Sequence, residues 1–146
     1  MLHCVFGEKQ EGASYMTRPG AYLIAVSSAQ IALIRTPKGY FLPGGGLEPG
    51  EAHEACILRE CLEETGCRVQ VGEFLCSAES YLLHERIGPF HPVQYFYMGA
   101  FLESVCDPVE SDHTLVWLPC ATAAGQMKVE QQAWAVRKAV EKLALE

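Results

Sequence analysis

A triple glycine followed by an acidic amphipathic run constrains this chain more than any other stretch of it. Residues 44–51 read Gly-Gly-Gly-Leu-Glu-Pro-Gly-Glu, and residues 59–67 read Arg-Glu-Cys-Leu-Glu-Glu-Thr-Gly-Cys. Gly44, Gly45, Gly46 and Gly50 permit backbone geometries that a Cβ forbids, and they let main-chain groups approach a ligand closely. The pattern predicts a glycine loop leading into a helix from about Ala52 to Thr65, closed by Gly66 in the left-handed position just past the helix end. At about 100° per residue Glu60, Glu63 and Glu64 share one sector of that helix. Ala55, Leu58 and Leu62 fall opposite, and these are the residues expected to hold the helix to a sheet.

On either side of the helix the pattern is that of strands. Glycines and prolines thin any periodicity in residues 1–20, leaving a short leading strand and a loop. The continuous apolar run Ala21 to Val26 suits a strand buried on both faces. Ser27 to Gln30 reads as a turn, Ile31 to Arg35 as a second strand, Thr36 to Gly39 as a turn, and Tyr40 to Leu42 as a short strand stopped by Pro43. Beyond the helix, strands are expected over Arg68 to Val71 and Glu73 to Leu83, separated by Gly72, with a loop over 84–92. Val93 to Leu102, rich in aromatic and β-favouring residues, is expected to be a central strand. A polar loop over Glu103 to His113 precedes a strand over Thr114 to Leu118. A last helix runs from about Val129 to Leu143, with Val129, Ala133, Val136, Val140 and Leu143 as its apolar stripe. The expected architecture is α/β, a mixed sheet sandwiched between helices in a single domain spanning residues 1–146.

Length supports that reading, because 146 residues suffice to bury roughly two thirds of the unfolded surface in one core. Seven cysteines without a Cys-x-x-Cys pair argue against a zinc ribbon, and the odd count argues against a closed disulfide framework. Free thiols in apolar runs suit a reducing cytoplasm, and no apolar run reaches membrane-spanning length. The expected setting is therefore soluble and cytoplasmic. A net charge of −7 disfavours binding to a nucleic-acid duplex, whose partners usually carry a basic face.

The acidic helix face admits two readings. One is a solvated surface with Arg59 and Glu63 paired at i, i+4. The other is a site for hard divalent cations, which take oxygen ligands and bind through a few carboxylates plus substrate phosphates. The adjoining glycine loop favours the second, and the negative net charge sharpens it, since an acidic site admits a phosphate only with cations between them.

The order Gly45, five residues, Glu51, seven residues, Arg59-Glu60-Cys61, one residue, Glu63-Glu64, one residue, Gly66-Cys67 resembles the complete Nudix box of the Nudix hydrolase family, of the MutT-like kind. Every charged and glycine position of that motif is filled; Cys61 and Cys67 stand where bulky aliphatic residues are expected, which bears on packing more than on chemistry. The strand pattern around the box also resembles the Nudix fold over most of the chain. The resemblance implies hydrolysis of a nucleoside diphosphate linked to a further group, as in a nucleoside triphosphate. Dinucleoside polyphosphates, nucleotide sugars and a non-catalytic nucleotide-sensing role are the alternatives. It further implies that Glu60, Glu63 and Glu64 hold Mg²⁺ or Mn²⁺ together with the Gly44 carbonyl. Arg59 would orient the glutamates and Glu51 would assist at the attacking water. Gly45 and Gly46 would lie against the substrate. Glu63 is one candidate general base, and Glu110 or Asp112 in the later polar loop could supply a base or a further ligand.

Pointers to the substrate are thinner. Arg35, at a strand end, could contact a phosphate. Tyr81 lies 14 residues beyond Cys67, just short of the offset at which dinucleoside polyphosphate hydrolases of the family often carry a tyrosine. The corresponding offset of many ADP-ribose pyrophosphatases holds no proline here. Phe90, Tyr95, Phe96 and Tyr97 could stack on a base or form core on one strand face. His53 and His84 read as surface residues. Trp134, on the charged side of the last helix with Glu130 and Lys138, suggests cover for a loop or a contact in a homodimer.

Overall fold

In the computed structural model, which describes residues 2–144, the longest strand, β8 (Gly88–Ser104), runs through the middle of the sheet. It lies antiparallel to β6 (Cys67–Ser80) on one side and parallel to β2 (Met16–Ser27) on the other. At the edge β1 (Leu2–Phe6) adds in parallel to β6, while β7 (Leu82–His84) folds back on the start of β8 as a hairpin. Past β2 the sheet continues into β3 (Gln30–Thr36), which carries β4 (Gly39–Phe41) on one side and β9 (Thr114–Pro119) on the other. Strands β2 and β3 pair at Val26–Ile31 and Ser27–Gln30, beside a turn in which Ser28 and Ala29 both have positive φ. Such a turn matches the right-handed twist of the flanking strands. Nearer its start β2 takes a different partner, β5 (Gly44–Gly46), through Tyr22–Gly44, Ala21–Gly45 and Gly20–Gly46.

Helix α1 (His53–Thr65) packs on one face of the sheet against Ala21, Leu23, Ala25, Ala32 and Val69. A short helix, α2 (Cys120–Ala123), and a 3₁₀ turn lead to α3 (Glu130–Ala144), which covers the other face against Ile24, Leu33, Cys76 and Phe96. The expected mixed sheet between helices is thus present, with a core layer on each side. All seven cysteines are free thiols. Among the described residues no helix is long and apolar enough to cross a membrane.

Several local expectations change. The glycine segment 44–46 is not a loop but strand β5, because three residues without side chains can lie flat against β2. The predicted break at Gly72 is absent: β6 runs through it, accommodating extra residues as bulges opposite β8 between Val71 and Cys76. The loop assigned to 84–92 shrinks to a turn over 85–87, since Gly88 and Pro89 pair with His84 and Leu83. Most consequentially, the packing face of α1 is Cys56, Ile57 and Cys61, while Leu58 and Leu62 are 42% and 38% exposed and Ala55 is exposed too. On α3 the buried set includes Gln131, Gln132, Ala135 and Ala139 beside Val136, whereas Leu143 is exposed. Trp134 packs partly into the core with Lys138 over its ring, so the aromatic that suggested a homodimer contact is engaged within the chain. His53 is no lone surface histidine either: it stacks on Tyr95 and bonds the Tyr97 hydroxyl at 2.7 Å.

Candidate active site

The Glu51 and Arg59 side chains fix the frame of the site. Arg59 donates from Nε and Nη2 to the two oxygens of Glu51, both at 2.9 Å, a fork that matches a carboxylate in plane. Its Nη1 donates to Glu60 Oε1 at 2.9 Å and its Nη2 to the Gly46 carbonyl at 3.1 Å, and Glu63 lies 3.6 Å away. One guanidinium therefore ties the loop before α1, the end of β5 and the acidic face of α1 together. The hydrogen bonds from Arg59 hold the Glu51 carboxyl down to about 2, so this group stays ionised.

Glu64 sits in the opposite environment. It is 7% exposed, and its Oε1 accepts the Gly44 N–H at 3.0 Å. Burial, reinforced by the charges of Glu60, Glu110 and Glu63, pushes its carboxyl up to about 8 against the pull of that N–H. Burial also raises Glu60, opposed by its bond to Arg59. The glycines make this proximity possible. A Cβ on Gly45 would come within 2.5 Å of the Glu60 carboxyl carbon, and one on Gly44 would strike the Ala21 carbonyl. Gly44 also has φ of 139°, open to glycine alone in practice.

The loop between β8 and β9 arrives at the same place by capping α1. Gly66, with φ of 71°, ends the helix, and its carbonyl accepts from Val105 and Cys106 N–H groups at 2.8 and 3.2 Å. The Glu63 carbonyl accepts from Val109 and Glu110 at 2.8 and 3.3 Å. The Glu63 carbonyl, one of those a helix end leaves free, is thereby satisfied. As a result Glu110, Asp112 and His113 converge, with ligand atoms within 4.8 Å of one another. His113 Nδ1 lies 3.5 Å from Glu64 Oε2, too poorly aimed to count as a hydrogen bond, and is otherwise a buried nitrogen without a partner.

Two hollows open on either side of Glu64. The larger, about 610 Å³, is lined by Arg18, Gly44 to Glu48, Arg59, Glu60, Phe90 and Gln94; the smaller, about 380 Å³, by Thr36, Lys38, Phe41, Asp112 and Gln132. Tyr22, Gly44, Glu64 and His113 border both. The structure therefore brings Gly44, Gly45, Gly46, Arg59, Glu60, Glu64 and Asp112 to the walls of these hollows, while Glu51 and Glu63 adjoin them through Arg59 and Glu110 through Asp112 and His113. Arg35 is exposed on β3 and lines neither hollow. Tyr81 stacks on His91, donates to Glu79 and lines a separate depression with Tyr15 and Pro89. Arg18, Tyr22, Gln94 and His113 escaped the sequence reading. Only the place of Arg18 and Tyr22, on the strand entering the apolar run, offered any signal.

These residues suit a hard divalent cation. The donors are carboxylate and carbonyl oxygens, the Arg59 guanidinium in their midst is committed to Glu51, Glu60 and Gly46, and burial together with the charges of Glu60, Glu110 and Glu63 disfavours the ionised form of Glu64, which a bound cation would stabilise.

Comparison with known proteins places this geometry in context. The family model described as NUDIX domain matches residues 16–142. Among solved structures, the chain resembles a NUDIX hydrolase from Nitrosomonas europaea, with a TM-score of 0.71 and 15% identity over 87% of this chain and 90% of that one. It resembles a MutT NUDIX hydrolase from Burkholderia pseudomallei, with a TM-score of 0.66 and 23% identity over 84% and 98%. It also resembles the NUDIX domain of Shewanella oneidensis NrtR, determined with ADP ribose, with a TM-score of 0.62 and 19% identity over 90% of each chain.

Proposed function

The chain belongs to the NUDIX family, and from that footing we propose that it hydrolyses the diphosphate linkage of a nucleoside triphosphate or another nucleoside diphosphate derivative, using Mg²⁺ or Mn²⁺. The observation that carries this reading is the buried Glu64 carboxyl, which borders an open cleft with Glu60 and accepts the Gly44 N–H; burial and the neighbouring carboxylates push it up to about 8. A carboxylate so costly to ionise is poorly suited to a merely solvated helix face and well suited to a cation site.

Glu60, Glu63 and Glu64 would hold the metal together with the Gly44 carbonyl. When bound, it would offset the phosphate charge and make an attacking water more acidic. Arg59 holds Glu60 and Glu51 in place. Glu51 gives both oxygens to Arg59 and accepts the Glu48 N–H at 3.0 Å; a carboxylate so engaged, with a pKa of about 2, is better suited to bracing the arginine than to taking a proton. The general base is then drawn from Glu63, Glu110 and Asp112, whose side chains are not so engaged. Arg18 and Lys38, one in each hollow, supply positive charge for the outer phosphates.

The ADP ribose on the Shewanella protein and the likeness to a further solved structure, that of a UDP-X diphosphatase, favour testing sugar-linked diphosphates beside triphosphates. The experiment is a product-resolved screen of purified protein on both classes with Mg²⁺ or Mn²⁺. Metal-dependent release of a nucleoside monophosphate is expected, and Glu64→Gln should lower turnover by at least about a hundredfold, the order lost when a key electrostatic group is removed. Turnover indifferent to chelation, or retained by Glu64→Gln, would refute the metal assignment; saturable binding without turnover would point to a nucleotide-sensing module.

A further inference from the structure

Among the described residues three glutamines are buried, and two of them are used. Gln131 Nε2 donates to the Pro92 carbonyl at 3.3 Å, and Gln132 Oε1 accepts the Leu42 N–H at 2.8 Å. The third, Gln94 on β8, is 8% exposed, and its Oε1 has no hydrogen-bond partner. A buried amide oxygen left without a donor is destabilising, and native proteins rarely keep one without a reason.

The surroundings of Gln94 are open on the side of the cleft. Its paired residues are Gly20 on β2 and Ala78 on β6, so neither of them sends a long side chain over it; the Tyr22 ring, which lies over Gly20, borders the same hollow. A Cβ on Gly20 would stand 2.9 Å from the Gly45 carbonyl and 3.1 Å from the Tyr22 hydroxyl, so that bare position keeps β2 and β5 together as well. Along β8, alternate residues Phe90, Pro92 and Gln94 line the same 610 Å³ hollow as Glu60 and Glu64. The final torsion of a glutamine is broad, so the amide can turn its oxygen toward a ligand without moving its stem. Phe90 adds an aromatic ring in the same hollow.

We propose that Gln94 is a specificity-determining residue, and that its unpartnered oxygen accepts an exocyclic N–H of the substrate's nucleobase. The substrates are then diphosphates whose base carries an amine, as adenine and cytosine do. The inference rests on the pyrophosphohydrolase reading for the position of the diphosphate and adds the base to it. Removing the donor from the base, or the acceptor from the protein, removes the same interaction. A site built around a hydrogen bond rejects a ligand that lacks it, because its own polar group is then left unpaired.

The test uses nucleoside diphosphates, the part common to all such substrates, with Ca²⁺ as the divalent ion and calorimetric dissociation constants. ADP and CDP are compared with the diphosphates of purine riboside and 2-pyrimidinone riboside, whose bases have no N–H. Wild-type protein is expected to bind the amine-bearing member of at least one pair at least about tenfold more tightly. Gln94→Met should abolish that preference while leaving binding of the deamino member within about twofold. Its melting temperature should not fall below that of the wild type, since methionine replaces an amide whose buried oxygen is unpaired by an apolar group of similar shape. Equal binding of both members of each pair by the wild type would overturn the proposal, and that comparison needs no variant. Losses from variant and analogue that multiply would overturn it too, as would a marked drop in melting temperature, which would show the amide to be structural. These outcomes leave the hydrolytic reading standing, whereas absence of turnover in the substrate screen would fell that reading directly.

Discussion

Arg59 spends its guanidinium on three groups at once: both oxygens of Glu51, one oxygen of Glu60 and the Gly46 carbonyl. An ammonium group cannot reproduce that planar fork. Arg59→Lys should therefore lower kcat by about ten- to a hundredfold with the fold retained, as measured by steady-state kinetics beside circular dichroism; unchanged kcat would show that positive charge alone suffices. The frame belongs to a motif whose every charge and glycine is visible in the chain. What could not be read there is that two glutamates of one helix face live in different environments. Glu63 is 40% exposed at its side chain, whereas Glu64 is 9% exposed and retains its proton to about 8. The sign follows from linkage. An unfolded glutamate ionises near 4.5, so between about 4.5 and 8 the folded state binds the extra proton, and Glu64 makes metal-free protein less stable as pH rises through that window. Glu64→Gln lacks this loss, so its melting temperature relative to wild type should rise between pH 5 and pH 9 in the presence of chelator. A difference independent of pH would place the Glu64 charge elsewhere.

At the scale of elements, α1 shows how far a helical pattern reaches. Periodicity identified its limits and its acidic face, yet the face turned to the sheet is Cys56, Ile57 and Cys61 rather than Ala55, Leu58 and Leu62. The wheel gives angles within a helix but not the roll of the helix on its sheet. Here the roll is set by Glu60 and Glu64 reaching β5, where Gly44 and Gly45 leave them room. Of the two cysteines that depart from the usual aliphatic residues, Cys61 thus lies in the packing layer, where a thiol behaves as a small hydrophobe, whereas Cys67 is only partly buried at the start of β6. Ile57→Ala should cost about 2–4 kcal/mol in denaturant unfolding, the usual range for emptying a buried aliphatic site, while Leu58→Ala should cost about 0.5 kcal/mol or less. Comparable costs at both positions would contradict this packing. The loop carrying Glu110 and Asp112 is a parallel case: its polarity was evident from its residues, but its docking rests on carbonyls of Glu63 and Gly66, some forty residues earlier in the chain.

For the molecule as a whole, the net charge of −7 and the concentration of carboxylates about Glu64 lead to the expectation that divalent cations stabilise the fold. A divalent ion that binds the folded state alone contributes about 2.7 kcal/mol at a hundredfold excess over its dissociation constant. Saturating Mg²⁺ should therefore raise the melting temperature by several degrees at pH 7.5, and the increase should shrink in Glu60→Gln and Glu64→Gln. An equal rise with monovalent salt of matched ionic strength would reduce the effect to screening. By itself the sequence determined what is local or periodic: the extents of α1 and α3, the central strand, the glycines beside the acidic helix, and the residue types of the site. The tertiary structure alone decided which face of α1 is buried, that the triple glycine is a strand, that the 105–113 loop returns to the site, and that Gln94 and His113 border the cleft. Each of those depends on contacts between segments distant in the chain, where the energy of packing and of satisfying buried backbone groups outweighs the preference of any one segment.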